Sequence, residues 1–249
     1  MHGAEELHAA REQLVKYSSR LADDGLAVGS AGNLSVRLGD QIAITPSGVR
    51  YDELIAADIC LVGLDGTELR ALEAPSSELP MHLAVYAATR AAAIVHTHSP
   101  EVIALSASCE ELPAIHYAIT GLGGPVRVAQ YSRFGSAGLA DAAVRALEGR
   151  RAAILQNHGA ICYGLSLRQA YEHAQLLEWL AGVYRRARSY GEPRLLSQAE
   201  LDEVSAEARR RRYGERRPRP DQRRRDQLPG DLQPGDLQPG DQQQPGLGP

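Results

Sequence analysis

Ala91-Ala-Ala-Ile-Val-His-Thr-His98 is the stretch on which the reading of this chain turns. A short apolar run of this kind reads as a buried strand, and in a strand residues i and i+2 point to the same side. His96 and His98 therefore stand together, about 7 Å apart along the backbone by strand rise. Histidine pairs also occur as strand caps or as surface hydrogen-bonding groups, so the pair alone does not establish a metal site. Two further features do point to one. Ala152–Leu155 is a second apolar run, closing at Gln156-Asn-His-Gly159, so His158 is expected at the same sheet edge in the same manner. Glu78, preceded by Pro75-Ser-Ser77, opens the helix that leads into the first histidine strand. Three imidazoles and one carboxylate suit a tetrahedral, zinc-type centre. In a catalytic centre, a carboxylate displaced by substrate is free to act as a base.

Outward from this stretch, Glu5–Asp24 reads as a helix, with Leu7, Ala10, Leu14, Tyr17 and Leu21 on one face and Gly25 as its C-cap. Short strands are expected at Leu34–Arg37, Gln41–Ile44, Ile59–Val62, Glu68–Ala71, Ala92–Val95, Val126–Ala129 and Ala152–Leu155. Leu64-Asp-Gly-Thr67 reads as a hairpin turn between the third and fourth of these. Helices are expected at Glu78–Thr89, Pro100–Ala107, Ala137–Leu147 and Ser166–Tyr190, the last opened by a serine cap. Strands and helices mix without regular βαβ alternation. The expected fold is therefore an α/β sheet with substantial antiparallel content and helices on its faces.

Composition narrows the function classes. The hydrophobic fraction of 43% and charged fraction of 23% are those of an ordinary globular protein. No run of about 18 apolar residues suggests a membrane span, and the polar, helix-periodic N-terminus does not read as a signal peptide. Cys60, Cys109 and Cys162 lack any C-x-x-C spacing, so free thiols in a reducing cytoplasm are expected. The net charge of −4 conceals ten arginines between Arg209 and Arg225. The rest of the chain shows no basic stripe with interleaved aromatics, which argues against nucleic acid as partner. Lys16 is the single lysine and lies in the N-terminal helix. Schiff-base chemistry needs a desolvated lysine beside the substrate, so any carbon–carbon chemistry here calls for a metal as electron sink. The domain is expected to span residues 1–214. Residues 215–249, arginine-rich and then built on a Pro-Gly-Asp-Leu-Gln repeat, are expected to be a disordered tail.

Ser30, Asn33, Ser47, Gly48, Ser76 and Ser77 sit in three small-residue loops, each beside a strand or helix start. Each loop alone is ordinary turn chemistry. Together with a metal set, their backbone N–H, hydroxyl and amide donors suit a phosphate. The Gly29–Asn33 loop lacks the G-x-x-x-x-G-K-[ST] pattern, so a nucleoside triphosphate is not indicated.

The segments Gly29-Ser-Ala-Gly-Asn-Leu-Ser-Val-Arg37, Ile44-Thr-Pro-Ser-Gly48, Pro75-Ser-Ser-Glu78, Val95-His-Thr-His98, Pro113-Ala-Ile-His-Tyr117 and Gln156-Asn-His-Gly159 resemble, in order, those of the class II aldolase/adducin family. The likeness covers roughly residues 5–214. It implies a three-layer α/β/α sandwich around a central, largely antiparallel sheet, a homotetramer with intersubunit active sites, and one zinc ion (Zn2+) per site. On this resemblance His96, His98, His158 and Glu78 would be the metal ligands, Glu78 also serving as acid/base. Ser30, Asn33, Ser47, Gly48, Ser76 and Ser77 would hold the substrate phosphate. Tyr117 would act from the neighbouring subunit as proton donor, and Tyr213 would close over the site. His82 and His116 read as structural, and His173 as structural or surface. The implied activity is reversible cleavage of a ketose 1-phosphate, such as L-fuculose 1-phosphate, to dihydroxyacetone phosphate and a short aldehyde such as L-lactaldehyde. Within the same resemblance stand a pentulose-5-phosphate 4-epimerase, sugar-acid phosphate decarboxylases and a dehydratase. The family's epimerases typically carry aspartate at the position of Glu78. A non-catalytic, adducin-like binding module is the alternative of another class, and the retained ligand set argues against it.

Overall fold

The computed structural model describes residues 2–211. Its strands are β1 (Asn33–Leu38), β2 (Gln41–Ile44), β3 (Cys60–Gly63), β4 (Glu68–Arg70), β5 (Ala93–Thr97), β6 (Glu111–Leu112), β7 (Val126–Ala129), β8 (Ala152–Leu155) and β9 (Gly159–Gly164). They form one sheet in the order β4-β3-β2-β1-β5-β9-β8-β7-β6, in which only β7 and β8 pair in parallel. The helices are α1 (His2–Asp23), α2 (Leu79–Ala88), α3 (Pro100–Ser106), α4 (Ala137–Ala146), α5 (Leu167–Tyr190) and α6 (Gln198–Arg210). No helix among the described residues is long and apolar enough to cross a membrane. Two units are distinguished, residues 1–206 and 207–249. The sheet belongs to the first. In the second, Glu207 pairs with both Arg210 and Arg211.

Alternation along the strands builds two cores. Ala93 and Val95 of β5, with Leu34 and Cys162, pack with Leu14 and Leu21 of α1, Val102 of α3, and Ala170, Leu177 and Leu180 of α5. Ile94, with Ile42, Ile44 and Ile161, packs with Met81 and Val85 of α2 and Leu139 and Ala143 of α4. A sheet buried on both faces needs such two-sided cover, and the result is an α/β/α sandwich. Long α5 is held at its start by the Ser166 hydroxyl, which accepts from the Gln169 N–H; caps of this kind contribute about 1 kcal/mol.

Expected and observed elements agree to within one or two residues for α2 to α5 and for most strands. The sequence reading missed β6, β9 and α6. The omission of β9 bears on the site, because His158 does not end a strand as His96 does. It lies in the turn between β8 and β9. That turn is tight: Asn157 has φ 54°, the one positive value at a non-glycine among the described residues. Position 159, just after His158, must be glycine, since a Cβ on Gly159 would sit 2.0 Å from the Thr97 carbonyl oxygen on β5. The side-chain-free approach of β9 to β5 thus brings His158 next to the His96–His98 pair.

Gly159→Ala should therefore destabilise the fold by about 1–3 kcal/mol as the strands are forced apart. At about 2–4 °C per kcal/mol for a domain of this size, the melting midpoint should fall by several degrees. A midpoint equal to the wild type's would refute this account of the β5–β9 contact.

Candidate active site

Four side chains converge where β5 ends. Each of Glu78, His96, His98 and His158 offers one ligand atom, and these atoms lie within 4.8 Å of one another. His96 leaves β5 on the α2 face of the sheet and is fully buried. His98, two residues on, keeps the same side, with ring centroids 4.8 Å apart. The His158 ring lies 4.9 Å from that of His96 and 4.8 Å from that of His98. Glu78 immediately precedes α2, its backbone N–H donating to the Ser76 hydroxyl at 3.2 Å.

The hydrogen bonds show what this cluster is built to hold. His96 Nδ1 lies 2.8 Å from the Ala160 carbonyl oxygen and so must donate to it. That bond turns Nε2 towards Glu78 Oε2 at 2.6 Å and His98 Nε2 at 2.9 Å. A bare lone pair on Nε2 would face two other electron-rich atoms, so positive charge belongs between them, either a proton or a metal cation. An imidazole whose second nitrogen is held by a backbone carbonyl is the usual state of a metal-ligating histidine. The other Glu78 oxygen, Oε1, is buried without a hydrogen-bond partner, with His158 Nε2 3.4 Å away. Three nitrogen donors, a carboxylate and an orphaned carboxylate oxygen fit a divalent cation.

Electrostatics agree. Burial opposes ionisation of Glu78, yet His96, through charge and hydrogen bond, then His158 and the Asn33 amide, hold its carboxyl well below the ordinary range. Burial, reinforced by His96 and His158, pushes His98 down to about 3; burial and His96 push His158 down to about 4. At neutral pH these rings carry free lone pairs, the form a metal binds.

Glu78, His98 and His158 also line a cavity of about 290 Å3. All six residues of the three small-residue loops, Ser30, Asn33, Ser47, Gly48, Ser76 and Ser77, line the same cavity. The loops are tied together by backbone: Ser47 N–H donates to Ala74 O at 2.8 Å, and Ser76 N–H to Thr45 O at 3.2 Å. The Tyr51 hydroxyl, donating to Ala31 O at 2.9 Å, holds the first loop. Gly32, at φ 80°, lets that loop approach the His96 carbonyl, which a Cβ would meet at 2.7 Å. Among the described residues no lysine or arginine lines the cavity, so the donors they offer an anion there are neutral.

The two tyrosines expected to act at the site are not among the described residues that line this cavity. Tyr117 lies outside the cavity lining, 54% exposed in a short 3-10 helix (Tyr117–Leu122) and stacked on His116. Tyr213 falls outside the described residues. Tyr131, Ser132, Phe134 and Asn157 line the cavity without having been singled out. Of these only Asn157 carried a sequence signal, its place in the Gln156-Asn-His-Gly159 segment. His82, read as structural, is fully buried within hydrogen-bond reach of Asn33.

Residues 12–185 match the Class II Aldolase and Adducin N-terminal domain. The chain is 38% identical over 202 residues to a 5-deoxy-D-ribulose 1-phosphate aldolase of Bacillus thuringiensis serovar kurstaki, covering 80% of this chain and 95% of that one. It is also 38% identical over 198 residues to a 5-methylthioribulose-1-phosphate/5-deoxyribulose-1-phosphate aldolase of Rhodospirillum rubrum, covering 79% and 89%. The fold is similar to a solved L-fuculose 1-phosphate aldolase, with TM-score 0.78 and 35% identity over 81% of this chain and 96% of that one.

The buried imidazoles make stability pH-dependent. His82, pushed down to about 3 by burial and by His96, joins His98 and His158 in staying neutral while folded. The unfolded chain takes up protons below a histidine pKa of about 6.5, so it binds more protons than the native state and stability falls as pH drops. Fully buried His82 alone should cost about 1.4 kcal/mol per pH unit below that point. Urea unfolding of metal-free protein should show stability level above pH 7 and falling steadily from 6.5 towards 4. A flat profile over that range would contradict it.

Proposed function

The chain belongs to the class II aldolase and adducin family, and from that premise we propose that it is a metal-dependent aldehyde-lyase that reversibly cleaves a ketose 1-phosphate to dihydroxyacetone phosphate and a short aldehyde. The observation that carries the reading is the joining, in one cavity, of the Glu78–His96–His98–His158 cluster and a cradle of neutral phosphate donors. Similarity to aldolases named for 5-deoxyribulose 1-phosphate and L-fuculose 1-phosphate supports the substrate class. Both sugars end in a methyl group, and Phe134 gives the cavity an apolar wall suited to it.

A divalent cation, zinc by its nitrogen-rich donor set, would be held by Glu78, His96, His98 and His158 and would supply Lewis acidity that draws electron density from the ketose oxygens as the carbon–carbon bond breaks. The remaining work falls to the chain. Ser30, Ser47, Gly48, Ser76, Ser77 and the Asn33 amide hold the phosphate and so set which bond faces Glu78. One proton must leave the hydroxyl of the departing aldehyde carbon, and another must reach the carbon that stays with the phosphate fragment. Glu78 Oε2 is engaged by His96 and Asn33, which leaves the unpartnered Oε1 to carry the second proton. Tyr117, exposed and outside the cavity of its own subunit, is assigned the first proton in a neighbouring subunit of a homotetramer. Lys16 is exposed on α1 and no lysine lines the cavity, which disfavours a Schiff-base route. The three free thiols suit a reducing cytoplasm.

Zinc-loaded protein given a panel of ketose 1-phosphates and 5-phosphates should release dihydroxyacetone phosphate from 1-phosphates ending in a methyl group. Glu78→Gln should lower kcat by about 100-fold or more. Interconversion of pentulose 5-phosphates without release of a triose would instead identify an epimerase, and no turnover of any member would sink the enzyme reading.

A further inference from the structure

Glu78, at the start of α2, and His82 and Tyr86 within it are spaced four apart, while Asn33 and Ser35 are spaced two apart on β1. The two sets interlock in one buried chain of hydrogen bonds. Asn33 Nδ2 lies 3.3 Å from Glu78 Oε2, and Asn33 Oδ1 lies 2.6 Å from His82 Nε2. Ser35 Oγ lies 2.7 Å from His82 Nδ1 and 2.8 Å from the Tyr86 hydroxyl. None of the five residues is more than 5% exposed.

Only one direction of donation satisfies this chain. Ionised Glu78 accepts, so Asn33 must present its N–H to it. The Asn33 oxygen then faces His82 and requires a proton on Nε2. His82 Nδ1 is left as an acceptor for the Ser35 hydroxyl, and Ser35 in turn accepts from Tyr86. In the reverse direction the Asn33 oxygen would face the Glu78 carboxylate and the Tyr86 proton would have no acceptor, each a buried loss of about 1–3 kcal/mol.

We propose that His82 is a positioning residue which, by donating from Nε2 to Asn33 Oδ1, locks the Asn33 amide so that N–H, and never C=O, faces Glu78 and the cavity. Asn33 lines that cavity, so the lock makes it an obligate donor to an anionic ligand. Ser35 and Tyr86 hold the His82 tautomer from behind. This assignment rests on the reading of the cavity as a phosphate-ester site.

Neutron diffraction from deuterated crystals of the full chain tests the lock directly. It should place a deuteron on His82 Nε2 and none on Nδ1, with the Asn33 amide deuterons towards Glu78; a deuteron on Nδ1 alone, or an inverted Asn33, overturns the proposal. The functional arm measures the affinity of zinc-loaded protein for inorganic phosphate. His82→Leu should weaken it on the order of tenfold, as expected for loss of a charge-assisted bond. His82→Gln, which keeps an N–H donor, should recover most of it. In the Asn33→Ala background His82→Leu should bring no further loss. A purely structural His82 would give losses that multiply across the two sites and no rescue by glutamine, and either result overturns the positioning role. Should wild-type protein bind no phosphate, the substrate class fails, and the neutron map alone decides the orientation of Asn33.

Discussion

The antiparallel pairing of β1 with β5 is the constraint on which the active end depends. It sets Asn33 directly opposite His96, so a residue from the small-residue-loop side of the cavity and the most buried member of the histidine cluster share one rung of the sheet. Strand alternation then carries Ser35 to the same face, towards α2. Four residues of helix rise about 6 Å and two residues of strand about 6.6 Å. That near match lets Glu78, His82 and Tyr86 mesh with Asn33 and Ser35 along the α2–β1 seam. A shift of one residue in the β1–β5 register would turn both Asn33 and Ser35 to the opposite face and dismantle the cluster.

A buried polar seam is costly unless every member has a partner. Here the cost is contained because the chain of donors runs from the Tyr86 phenol to the Glu78 carboxylate with no atom left over along the way. The exception is Glu78 Oε1, at the end of the chain, which is buried without a partner beside the cavity that Glu78 helps to line. The apolar residues on either side of the seam, Met81, Val85 and Ile94, are fully buried and keep water from competing for these bonds.

Much of this was readable before any coordinates. His96 and His98 declared themselves through the period-two rule after an apolar run, and Glu78 through its place at a helix start. The loops of Ser30, Ser47 and Ser76 were legible as turns; the last two are joined by the bridge between Pro46 and Pro75, and the first is held by Tyr51. His82 and Tyr86 were not legible as a pair with function. At four-residue spacing among apolar neighbours they look like core positions, and their partners lie some 50 residues away on another element. β9 escaped because its short apolar run is bracketed by glycines whose purpose, close approach to β5, exists only in three dimensions. Tyr131 and Phe134 sit in a loop without periodicity, and nothing local to the sequence marks them as cavity-lining.

The central claim is that these four side chains form one metal centre. Anomalous diffraction at the zinc edge, from crystals grown with equimolar zinc, measures this most directly. The account predicts a single strong peak per chain, bounded by Glu78, His96, His98 and His158, that disappears in His96→Ala. A peak elsewhere in the chain, or none at this cluster with zinc present, would contradict it.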